Sequence, residues 1–432
     1  MKIAILGAGL TGLSAAYHLK KDYAIYEKES APGGLCRSCQ QDGFTFDIAG
    51  HLLHFRNEEN LYFVRRLLGA NCAAVDRNSW VRVQKRFIPY PFQCHLYGLD
   101  KALVRECLSG FKKAKEKPHA GGACENFEEW IYANFGRGIA RHFMIPYNRK
   151  FWRLPLRSLE ASWAKKWIPV PSIKEVEEGA RGISKKKFGY NATFWYPRQG
   201  GIQALVDSLE SRVAPVATGC EAVKINTRDR IIIFKNGREV RYENIISTLP
   251  LLELGRMITP LPDGIKKAFS KLKFISVYNV NLGVKKPLDP YKHWIYFPDR
   301  RPSFYRMGFA SNFSNRLAPL NATALYFEFS YSPARPFNKS NVIEKIRRSC
   351  SAMGFYFEKK DIATVQVNDI KYGYCLYTKE RLLALDVIRD YLKNEGILSC
   401  GRYGSWQYSS MEDALVEGQR SAQVFLKERG AS

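Results

Sequence analysis

The sequence predicts an α/β fold in which a parallel sheet is joined by a helical insertion and by an antiparallel sheet. Residues 2–27 read as strand, glycine turn, helix and strand, whereas residues 99–147 have helical periodicity and residues 274–329 contain short alternating stretches. A helix between two short apolar strands indicates a parallel pair, and alternation of apolar and polar residues indicates strands with one covered face.

The first strand and the turn after it predict a Rossmann-like unit. An apolar run at residues 3–6 leads directly into Gly7, Gly9 and Gly12, which have the spacing GxGxxG. In such a unit the first glycine makes the tight turn, the second lets the backbone approach a pyrophosphate, and the third lets the helix pack on the sheet. Since strand, turn, helix and second strand all occur in order, we interpret this stretch as a dinucleotide site.

The residues after the second strand distinguish between the dinucleotides. Glu27 ends that strand, where an acid binds the ribose hydroxyls, and a second glycine turn follows with Gly34, Leu35 and Arg37. Residues 28–38 resemble the stretch with which flavoproteins of the amine oxidase and protoporphyrinogen oxidase superfamily wrap FAD. The glycine pattern alone indicates a dinucleotide, and the resemblance favours FAD over NAD.

Composition narrows the class of partner. The 432 residues include 67 basic and 41 acidic side chains, a formal charge of +26, with 46% hydrophobic and 13% aromatic residues. Such a chain is globular, needs two or three subdomains, and favours anionic partners such as nucleotide diphosphates. Without an RNA-recognition, zinc-finger or helix-turn-helix signature, we expect no nucleic-acid partner.

Cysteine and hydropathy patterns give the expected location. Ten cysteines have no repeating spacing, and Cys36 and Cys39 lack the second pair that a zinc site needs, so we expect no metal and reduced thiols. His51 and His54 have no third ligand nearby. No apolar run approaches ~20 residues, and the first strand leaves no room for a signal peptide. We expect a cytoplasmic protein without a transmembrane segment; peripheral membrane contact and homo-oligomers are left open.

The order of patterns predicts a discontinuous domain arrangement. After a strand that ends in Gly200 and Gly201, a helix indicates that the chain returns to the dinucleotide domain. The last helix, from Ser410, would direct its first N–H groups at the flavin. The predicted segments are an FAD-binding Rossmann part (1–70), the start of the sheet domain (71–98), a helical insertion (99–190), the return of the FAD domain (191–270), an antiparallel substrate sheet (271–375) and a C-terminal FAD-binding part (376–432).

Several short motifs occur along the whole chain. They are GAGLTG at 7–12, GH at 50–51, PYPFQ at 89–93, PYN at 146–148, NATFWYPRQGG at 191–201, WIYFP at 294–298, FYR at 304–306, GY at 373–374 and GRYGSWQY at 401–408. Together they resemble the flavin-dependent UDP-galactopyranose mutases, especially the eukaryotic type. PYPFQ and GRYGSW are fairly specific, whereas GAGLTG belongs to the whole superfamily.

The resemblance implies an isomerase that uses FAD as a nucleophile. In these mutases reduced FAD attacks the anomeric carbon of a nucleotide sugar through N5, and the sugar recloses as a furanose with no net redox change. A UDP-linked substrate, NAD(P)H as the reductant and a role in cell-surface polysaccharide synthesis are implied in the same way.

The resemblance also implies a set of site residues. His51 and Arg306 would be catalytic, with His51 against the flavin near N5 and Arg306 on the diphosphate. The implied substrate contacts are Tyr90, Phe92 and Gln93 on the uracil, Tyr296, Tyr374 and Tyr408 on the phosphates, and Asn148, Asn191 and Trp294 elsewhere on the substrate. The implied cofactor contacts are Gly7, Gly9, Gly12, Glu27, Gly34, Leu35, Arg37, Gly50, His51, Gly401, Arg402 and Met411.

Three departures from the mutase pattern concern the substrate side. Trp167 stands where the mutases have a second diphosphate-binding arginine, Phe313 stands where they have a tyrosine, and residues 409–413 form a shorter loop. The alternatives are therefore another nucleotide sugar, an FAD-dependent oxidase or desaturase with the flavin as hydride acceptor, or a flavin-bearing binding protein without catalysis.

Overall fold

The computed structural model describes residues 3–116, 124–183, 188–189 and 192–430. The strands are β1 (Ile3–Leu6), β2 (Tyr23–Tyr26), β3 (Ser38–Gln41), β4 (Phe44–Asp47), β5 (Cys72–Asp76), β6 (Ser79–Val83), β7 (Arg86–Pro89), β8 (Thr193–Pro197), β9 (Val216–Ala217), β10 (Ala222–Asn226), β11 (Ile231–Phe234), β12 (Glu239–Arg241), β13 (Asn244–Ser247), β14 (Ile258–Thr259), β15 (Phe274–Val284), β16 (Trp294–Tyr296), β17 (Arg306–Phe309), β18 (Thr323–Tyr331), β19 (Ile362–Cys375) and β20 (Ile397–Ser399).

The helices are α1 (Leu10–Leu19), α2 (Glu58–Leu68), α3 (Lys101–Glu116), α4 (Phe127–Ile139), α5 (Ile145–Trp152), α6 (Ala164–Trp167), α7 (Ile173–Arg181), α8 (Gln203–Glu210), α9 (Leu251–Met257), α10 (Asp263–Ser270), α11 (Val342–Ser351), α12 (Lys379–Asn394), α13 (Gly401–Gly404) and α14 (Met411–Gly430). A π-helical turn, Ala140–Met144, joins α4 to α5. Short 3₁₀ turns lie at residues 69–71, 92–94, 156–158, 310–312 and 359–361.

A parallel sheet contains the Rossmann-like unit. Its five strands have the order β20-β13-β1-β2-β9, and every pair is parallel. Helix α1 connects β1 to β2, and α14 packs beside α1, where Ser14 Oγ donates to Leu415 O at 2.6 Å. Both ends of the chain therefore contribute to one layer, and the predicted α/β fold class is confirmed.

The larger sheet has seven strands in the order β19-β15-β18-β17-β16-β6-β7. Its pairs are antiparallel except for β16 with β6, which is parallel. The antiparallel sheet predicted from alternation is thus present, and β6 and β7 extend it. A separate four-stranded sheet has the order β12-β11-β10-β14, and β5 pairs with β8.

Within the helical insertion, a glycine lets helices α3 and α4 pack closely against each other. A Cβ atom at Gly138 of α4 would lie 2.6 Å from Cys107 Cα of α3, so only a glycine lets the two helices come this close. Gly136, at φ +69°, interrupts the helical geometry of α4. The predicted helices over 99–117 and 127–147 correspond to α3 and to α4 with α5, although Lys117 lies outside the described residues.

Strand register places a row of polar side chains on one face of the larger sheet. From β16 to β19, directly opposed residues are Tyr296, Arg306, Glu328, Asn279 and Asn368. Because side chains on one face of a sheet recur at every second residue, a neighbouring row is offset by two positions. That second row consists of Trp294, Gly308, Tyr326, Asn281 and Gln366.

Gly308 leaves space for an aromatic ring in the second row. A Cβ atom at Gly308 would overlap the ring of Tyr326, and one at Gly50 would lie 2.8 Å from the Tyr326 hydroxyl oxygen. Tyr326 is 3% exposed. The two glycines therefore create the slot in which this ring lies.

The described residues contain neither a candidate membrane span nor a candidate metal cluster. Across the ranges given above, no helix is long and apolar enough to cross a membrane. Within the same ranges, no group of three or more His, Cys, Asp or Glu side chains could hold a metal ion. The domain boundaries given by the sequence stay predictions.

We expect Gly308→Ala to lower the free energy of unfolding by about 1–3 kcal/mol, because the added methyl group would displace Tyr326. The matched control is Gly264→Ala in α10, where a Cβ atom would meet nothing within 4 Å. This control should be neutral or stabilising by up to ~1 kcal/mol. Urea denaturation followed by circular dichroism measures both, and equal stability of the two variants would contradict the packing argument.

Candidate active site

The first glycine turn leaves one opening toward the N-terminus of α1. Gly9 is the N-cap of α1, with no side-chain cap and no acidic residue in the first turn. A Cβ atom at Gly12 would overlap Gly7 O, and one at Gly7 would lie 2.5 Å from Thr248 Oγ1. At Gly9, in contrast, a Cβ atom would meet nothing within 4 Å. The exposed N–H groups of α1 and the space at Gly9 fit a pyrophosphate.

The second glycine turn lies against the first. Gly33 N donates to Ala8 O at 2.9 Å, and a Cβ atom at Gly34 would be 3.5 Å from Gly9 Cα. Arg37 Nε donates to Gly34 O at 2.9 Å, which holds the guanidinium beside this turn. Leu35, in the same turn, is half-buried.

Glu27 connects the two turns at the end of β2. Its carboxylate accepts the Ala8 N–H at 2.8 Å and the Glu29 N–H at 3.0 Å, and the residue is 5% exposed. The end of β2 thus places an acid beside the glycine turn, and its contact with a ribose stays a prediction.

Gly401 and Arg402 reach this region from the other end of the chain. Gly401 has φ +81°, and a Cβ atom there would lie 2.8 Å from Thr11 Oγ1 in α1. Arg402 donates to Ser409 O at 2.5 Å, just before α14 begins at Met411. Met411 is 9% exposed and packs in the same apolar cluster as α1.

His51 follows Gly50 at the point where the chain meets the larger sheet. Burial, assisted by the charge of Arg402, lowers the pKa of His51 to about 4, so the imidazole is neutral at pH 7. Among the described residues, its Nδ1 atom makes no hydrogen bond of ordinary geometry, and an interaction of the ring with the Ile48 backbone partly opposes the lowering of the pKa. A buried, neutral imidazole with one unused nitrogen can hydrogen-bond a cofactor ring.

A continuous line of aromatic rings borders the site, and we call it the aromatic wall. Ring centroids are 4.9 Å apart for Tyr90 and Tyr296, 5.5 Å for Tyr296 and Tyr147, 4.6 Å for Phe151 and Tyr374, and 5.4 Å for Tyr374 and Tyr408. Tyr147 and Phe151 stack on each other at 6.1 Å. The aromatic wall consists of Tyr90, Tyr296, Tyr147, Phe151, Tyr374 and Tyr408.

Arg402 lies against this wall, and Arg306 lies opposite Tyr296 on the neighbouring strand. The guanidinium of Arg402 is 4.9 Å from the ring centroid of Tyr374 and 5.0 Å from that of Tyr408. Burial raises the pKa of Tyr374, and the charge of Arg306 opposes that rise. The structure therefore brings Arg402 and these two tyrosines together, with Arg306 close enough to affect Tyr374.

Arg306 forms a buried ion pair that sequence reasoning missed. Its Nε and Nη2 atoms both donate to the carboxylate of Glu328, at 3.0 Å for Nε, and Glu328 is 1% exposed. The same carboxylate accepts the Gly50 N–H at 3.3 Å. The available signal was a single acid at an inward position of the otherwise apolar stretch of β18.

Four other predicted substrate residues pack or hydrogen-bond within the protein. Phe92 is fully buried and stacks on Phe143 at 5.3 Å, and Gln93 Nε2 donates to Pro169 O at 2.9 Å. Asn148 Nδ2 donates to Met144 O at 2.8 Å. The remaining two are Trp294, which is 2% exposed and packs beside Phe194 and Phe313, and Asn191, which lies outside the described residues.

Trp167 lies at one end of the aromatic wall. Its ring centroid is 4.5 Å from that of Tyr408, and the guanidinium of Arg56 is 4.6 Å from the Trp167 ring. Lys166 Nζ lies 3.0 Å from Asp413 Oδ1 in α14. Two cations thus lie beside Trp167, but the Trp167 side chain is itself uncharged and cannot form an ion pair with a phosphate.

Comparison with known proteins gives the family. Residues 10–426 match the family described as flavin containing amine oxidoreductase. The chain belongs to this family. It is therefore a flavin-dependent enzyme of the amine oxidase superfamily, and the geometry at Gly9, Glu27 and His51 fits that cofactor class.

Solved structures confirm the fold of this flavoprotein. A crystal structure of reduced UDP-galactopyranose mutase has a TM-score of 0.91 and 29% sequence identity, with 99% of this chain and 95% of that chain covered. A putative protoporphyrinogen oxidase from Exiguobacterium sp. 255-15 has a TM-score of 0.76 at 14% identity, covering 99% of each chain. The resemblance to mutases inferred from motifs is thus confirmed, whereas the second likeness shows the fold alone.

Curated relatives match only a short segment. A 4,4'-diapophytoene desaturase of Staphylococcus aureus strain COL is 45% identical over 51 residues, which are 11% of this chain and 10% of the desaturase. A coproporphyrinogen III oxidase of Staphylococcus aureus strain NCTC 8325 / PS 47 is 43% identical over 51 residues, or 11% of each chain. The chain thus matches about a tenth of the length of these relatives.

We expect Gly9→Ala to weaken flavin binding without loss of the fold, since its Cβ atom would enter the space at the turn and nothing else. Gly12→Ala is the contrasting variant, because its Cβ atom would overlap the backbone of Gly7. In Gly9→Ala the flavin content per chain, measured from visible absorbance, should fall, while the thermal stability of the flavin-free protein should stay unchanged. In Gly12→Ala the thermal stability should fall. Full flavin content in a folded Gly9→Ala protein would contradict this placement.

Proposed function

We propose that this flavoprotein interconverts the pyranose and furanose forms of a nucleotide sugar, with FAD in its reduced state as the cofactor. The observation that carries the proposal is the position of Arg306, opposite Tyr296 and 5.8 Å from the ring centroid of Tyr326, in a chain that matches a mutase structure over 99% of its length. A guanidinium surrounded by hydroxyl donors is suited to a diphosphate. We propose UDP as the nucleotide because the matching structure is that of a UDP-sugar enzyme.

Arg306 would contact the diphosphate with the N–H groups that Glu328 does not use. Two of its nitrogen atoms bind the carboxylate, and a guanidinium has five N–H donors. Glu328 thus fixes the plane of the guanidinium before any substrate binds. Tyr296, Tyr374 and Tyr408 would add hydroxyl donors from the aromatic wall.

Tyr90 would contact the uracil at the opposite end of the wall. Its ring is 4.9 Å from Tyr296, and the guanidinium of Arg77 lies 5.0 Å from the Tyr90 centroid. In this proposal Phe92 and Gln93, whose side chains are buried, support the turn that presents Tyr90. Asn148 and Trp294 would likewise shape the site from behind, and Asn191 stays among the predicted substrate contacts.

The flavin site would be formed by both ends of the chain. Reduced FAD supplies, when bound, a nucleophilic nitrogen for the anomeric carbon of the sugar. The pyrophosphate would lie at Gly7, Gly9, Gly12 and the N-terminus of α1, and the ribose at Glu27. Gly34, Leu35, Arg37, Gly50, Gly401, Arg402 and Met411 complete the proposed cofactor contacts.

His51 would hydrogen-bond the flavin ring through its unused nitrogen. Its pKa, lowered to about 4 by burial, keeps the imidazole uncharged throughout the neutral range. A neutral imidazole holds a hydrogen bond without adding a positive charge beside the flavin. NAD(P)H as reductant, a cytoplasmic location and a role in cell-surface polysaccharide synthesis belong to the same proposal.

A second candidate is an FAD-dependent oxidase or desaturase. The observation that favours it is the short segment shared with a diapophytoene desaturase and a coproporphyrinogen oxidase. Trp167 adds to it, because a tryptophan beside Tyr408 extends an apolar surface. In that case the flavin would accept hydride from the substrate, and the sugar chemistry would be absent.

The deciding experiment follows UDP-galactofuranose and UDP-galactopyranose by chromatography with the purified flavoprotein. We expect interconversion after anaerobic reduction and none with the oxidised protein, since only reduced flavin supplies the nucleophile. A protein that carries reducible flavin but leaves both sugars unchanged would contradict UDP-galactose as substrate. Turnover of the oxidised protein with a porphyrinogen or polyene, coupled to flavin reduction, would establish the second candidate.

We expect Arg306→Lys to raise the KM for the nucleotide sugar by about 10- to 100-fold, with a smaller effect on kcat, because lysine loses the planar fork. Lysine is preferred to alanine, since an unpaired Glu328 would cost about 3–5 kcal/mol of stability. The matched control is Arg347→Lys on α11, where Arg347 binds Glu344 with both contacts at 2.8 Å, outside the site. Equal KM values for the two variants would remove Arg306 from the substrate site.

A further inference from the structure

Four amide side chains form a connected group on β15 and β19, which we call the amide ladder. Asn279 and Asn281 lie on β15, at 0% and 1% exposure, and Gln366 and Asn368 lie opposite them on β19. Asn368 Nδ2 donates to Asn279 Oδ1 at 2.8 Å, and Asn281 Nδ2 donates to Gln366 Oε1 at 2.6 Å. Asn279 Nδ2 donates to Asn281 Oδ1 at 3.1 Å, which joins the two rungs.

The two amides on β15 hold the backbone that leads to His51. Asn281 Nδ2 donates to Asp47 O at 2.9 Å, and Asn279 Oδ1 accepts the Ala49 N–H at 3.1 Å. Among the described residues, Gln366 and Asn368 form no hydrogen bond with this backbone, and they bind each other at 2.8 and 2.9 Å. Of the four amides in the ladder, the two on β15 therefore bind residues 47–49 in the described part of the chain.

The held backbone has an unusual conformation. Ala49 has φ +63°, in the left-handed region that a residue with a Cβ atom rarely adopts. Such a conformation costs of order 1–3 kcal/mol and persists where neighbouring groups hold it. The Asn279 bond to the Ala49 N–H lies directly at this residue, two positions before His51.

Stability of the sheet alone does not require these amides. The other face of β15 carries Tyr278, Val280 and Leu282 in an apolar cluster, and apolar residues would fill the inner face as well. A buried amide needs a partner for each donor and acceptor, and its burial is unfavourable without one. Because two fully buried asparagines bind the same loop, we infer that their role is to fix the position of that loop.

We propose that Asn279 and Asn281 are positioning residues for His51. They fix the backbone of residues 47–49, so that Gly50 and His51 present the unused imidazole nitrogen at one place and angle beside the flavin. This inference rests on the proposed flavin site, but it does not depend on which substrate the enzyme takes.

The test compares Asn279→Leu with Gln366→Leu in the flavin-loaded enzyme. Leucine is close to asparagine in size and removes the acceptor for the Ala49 N–H, whereas Gln366→Leu breaks the same ladder without touching residues 47–49. We expect Asn279→Leu to lower kcat for the nucleotide sugar by about 100-fold through misplacement of His51, with KM changed less than about 3-fold. The visible circular dichroism of the bound flavin should change in Asn279→Leu and remain near the wild-type spectrum in Gln366→Leu.

The dichroism spectrum separates this inference from the proposed function. If the wild-type protein acts on no nucleotide sugar, the proposed function fails, and the difference between the two flavin spectra still decides the role of Asn279. Equal spectra, or equal losses of kcat, in the two variants would show that the ladder only stabilises the sheet and would overturn the inference. Should Asn279→Leu not fold, Asn279→Ser replaces it, since serine is small enough for the site and too short to reach Ala49. A wild-type protein that binds no flavin would overturn both proposals.

Discussion

The buried ion pair between Arg306 and Glu328 is the interaction on which the proposed site depends. The two residues face each other across β17 and β18, and the carboxylate of Glu328 is 1% exposed. A carboxylate at this depth is tolerated only when its charge is matched and its oxygen atoms are hydrogen-bonded. The guanidinium supplies the charge, and the Gly50 N–H supplies a further donor on the flavin side. One carboxylate therefore connects Arg306, a proposed substrate contact, to Gly50, a proposed cofactor contact.

Glycines, which have no side chain, are as important to this site as the charged residues. Gly308 and Gly50 leave the slot for Tyr326, and Gly12 and Gly401 let the backbone come close to its neighbours around α1. In each case a methyl group would meet other atoms at less than a van der Waals distance. Gly9 is different, since it borders open space that fits a ligand. The two kinds of glycine separate positions required by packing from a position available for binding.

The aromatic rings of the proposed site are suited to arginine as the neighbouring cation. Arg402 lies over the rings of Tyr374 and Tyr408, and Arg56 lies over Trp167. A guanidinium is weakly hydrated and stacks on aromatic faces, whereas an ammonium keeps its water. The basic composition of the chain thus takes a specific form here, with planar cations packed among rings. Trp167 packs on Tyr408 and adds apolar surface at the end of the wall. It therefore affects which substrate the proposed site can accept.

Local sequence patterns predicted those parts of the fold that depend on residues close together in the chain. The run from β1 through Gly12 to Glu27 predicted a Rossmann-like unit, because turn geometry and helix packing depend on residues close in sequence. Alternation predicted the antiparallel strands β15 and β18, and the family motifs predicted a flavoprotein similar to the mutases. Arg306 and His51 were candidates for the same reason, since each lies in a short recognisable motif.

Tertiary structure alone decided which distant residues meet. Glu328 and Asn279 lie in largely apolar strands, and their neighbours follow from a register that joins β15, β17 and β18. Register is a property of paired strands, so no single stretch contains it. The same holds for Phe92, which PYPFQ suggested as a base contact and which the fold buries against Phe143. The sequence by itself determined the cofactor class and the candidate motifs, and the pairing of strands decided which side chains share one face.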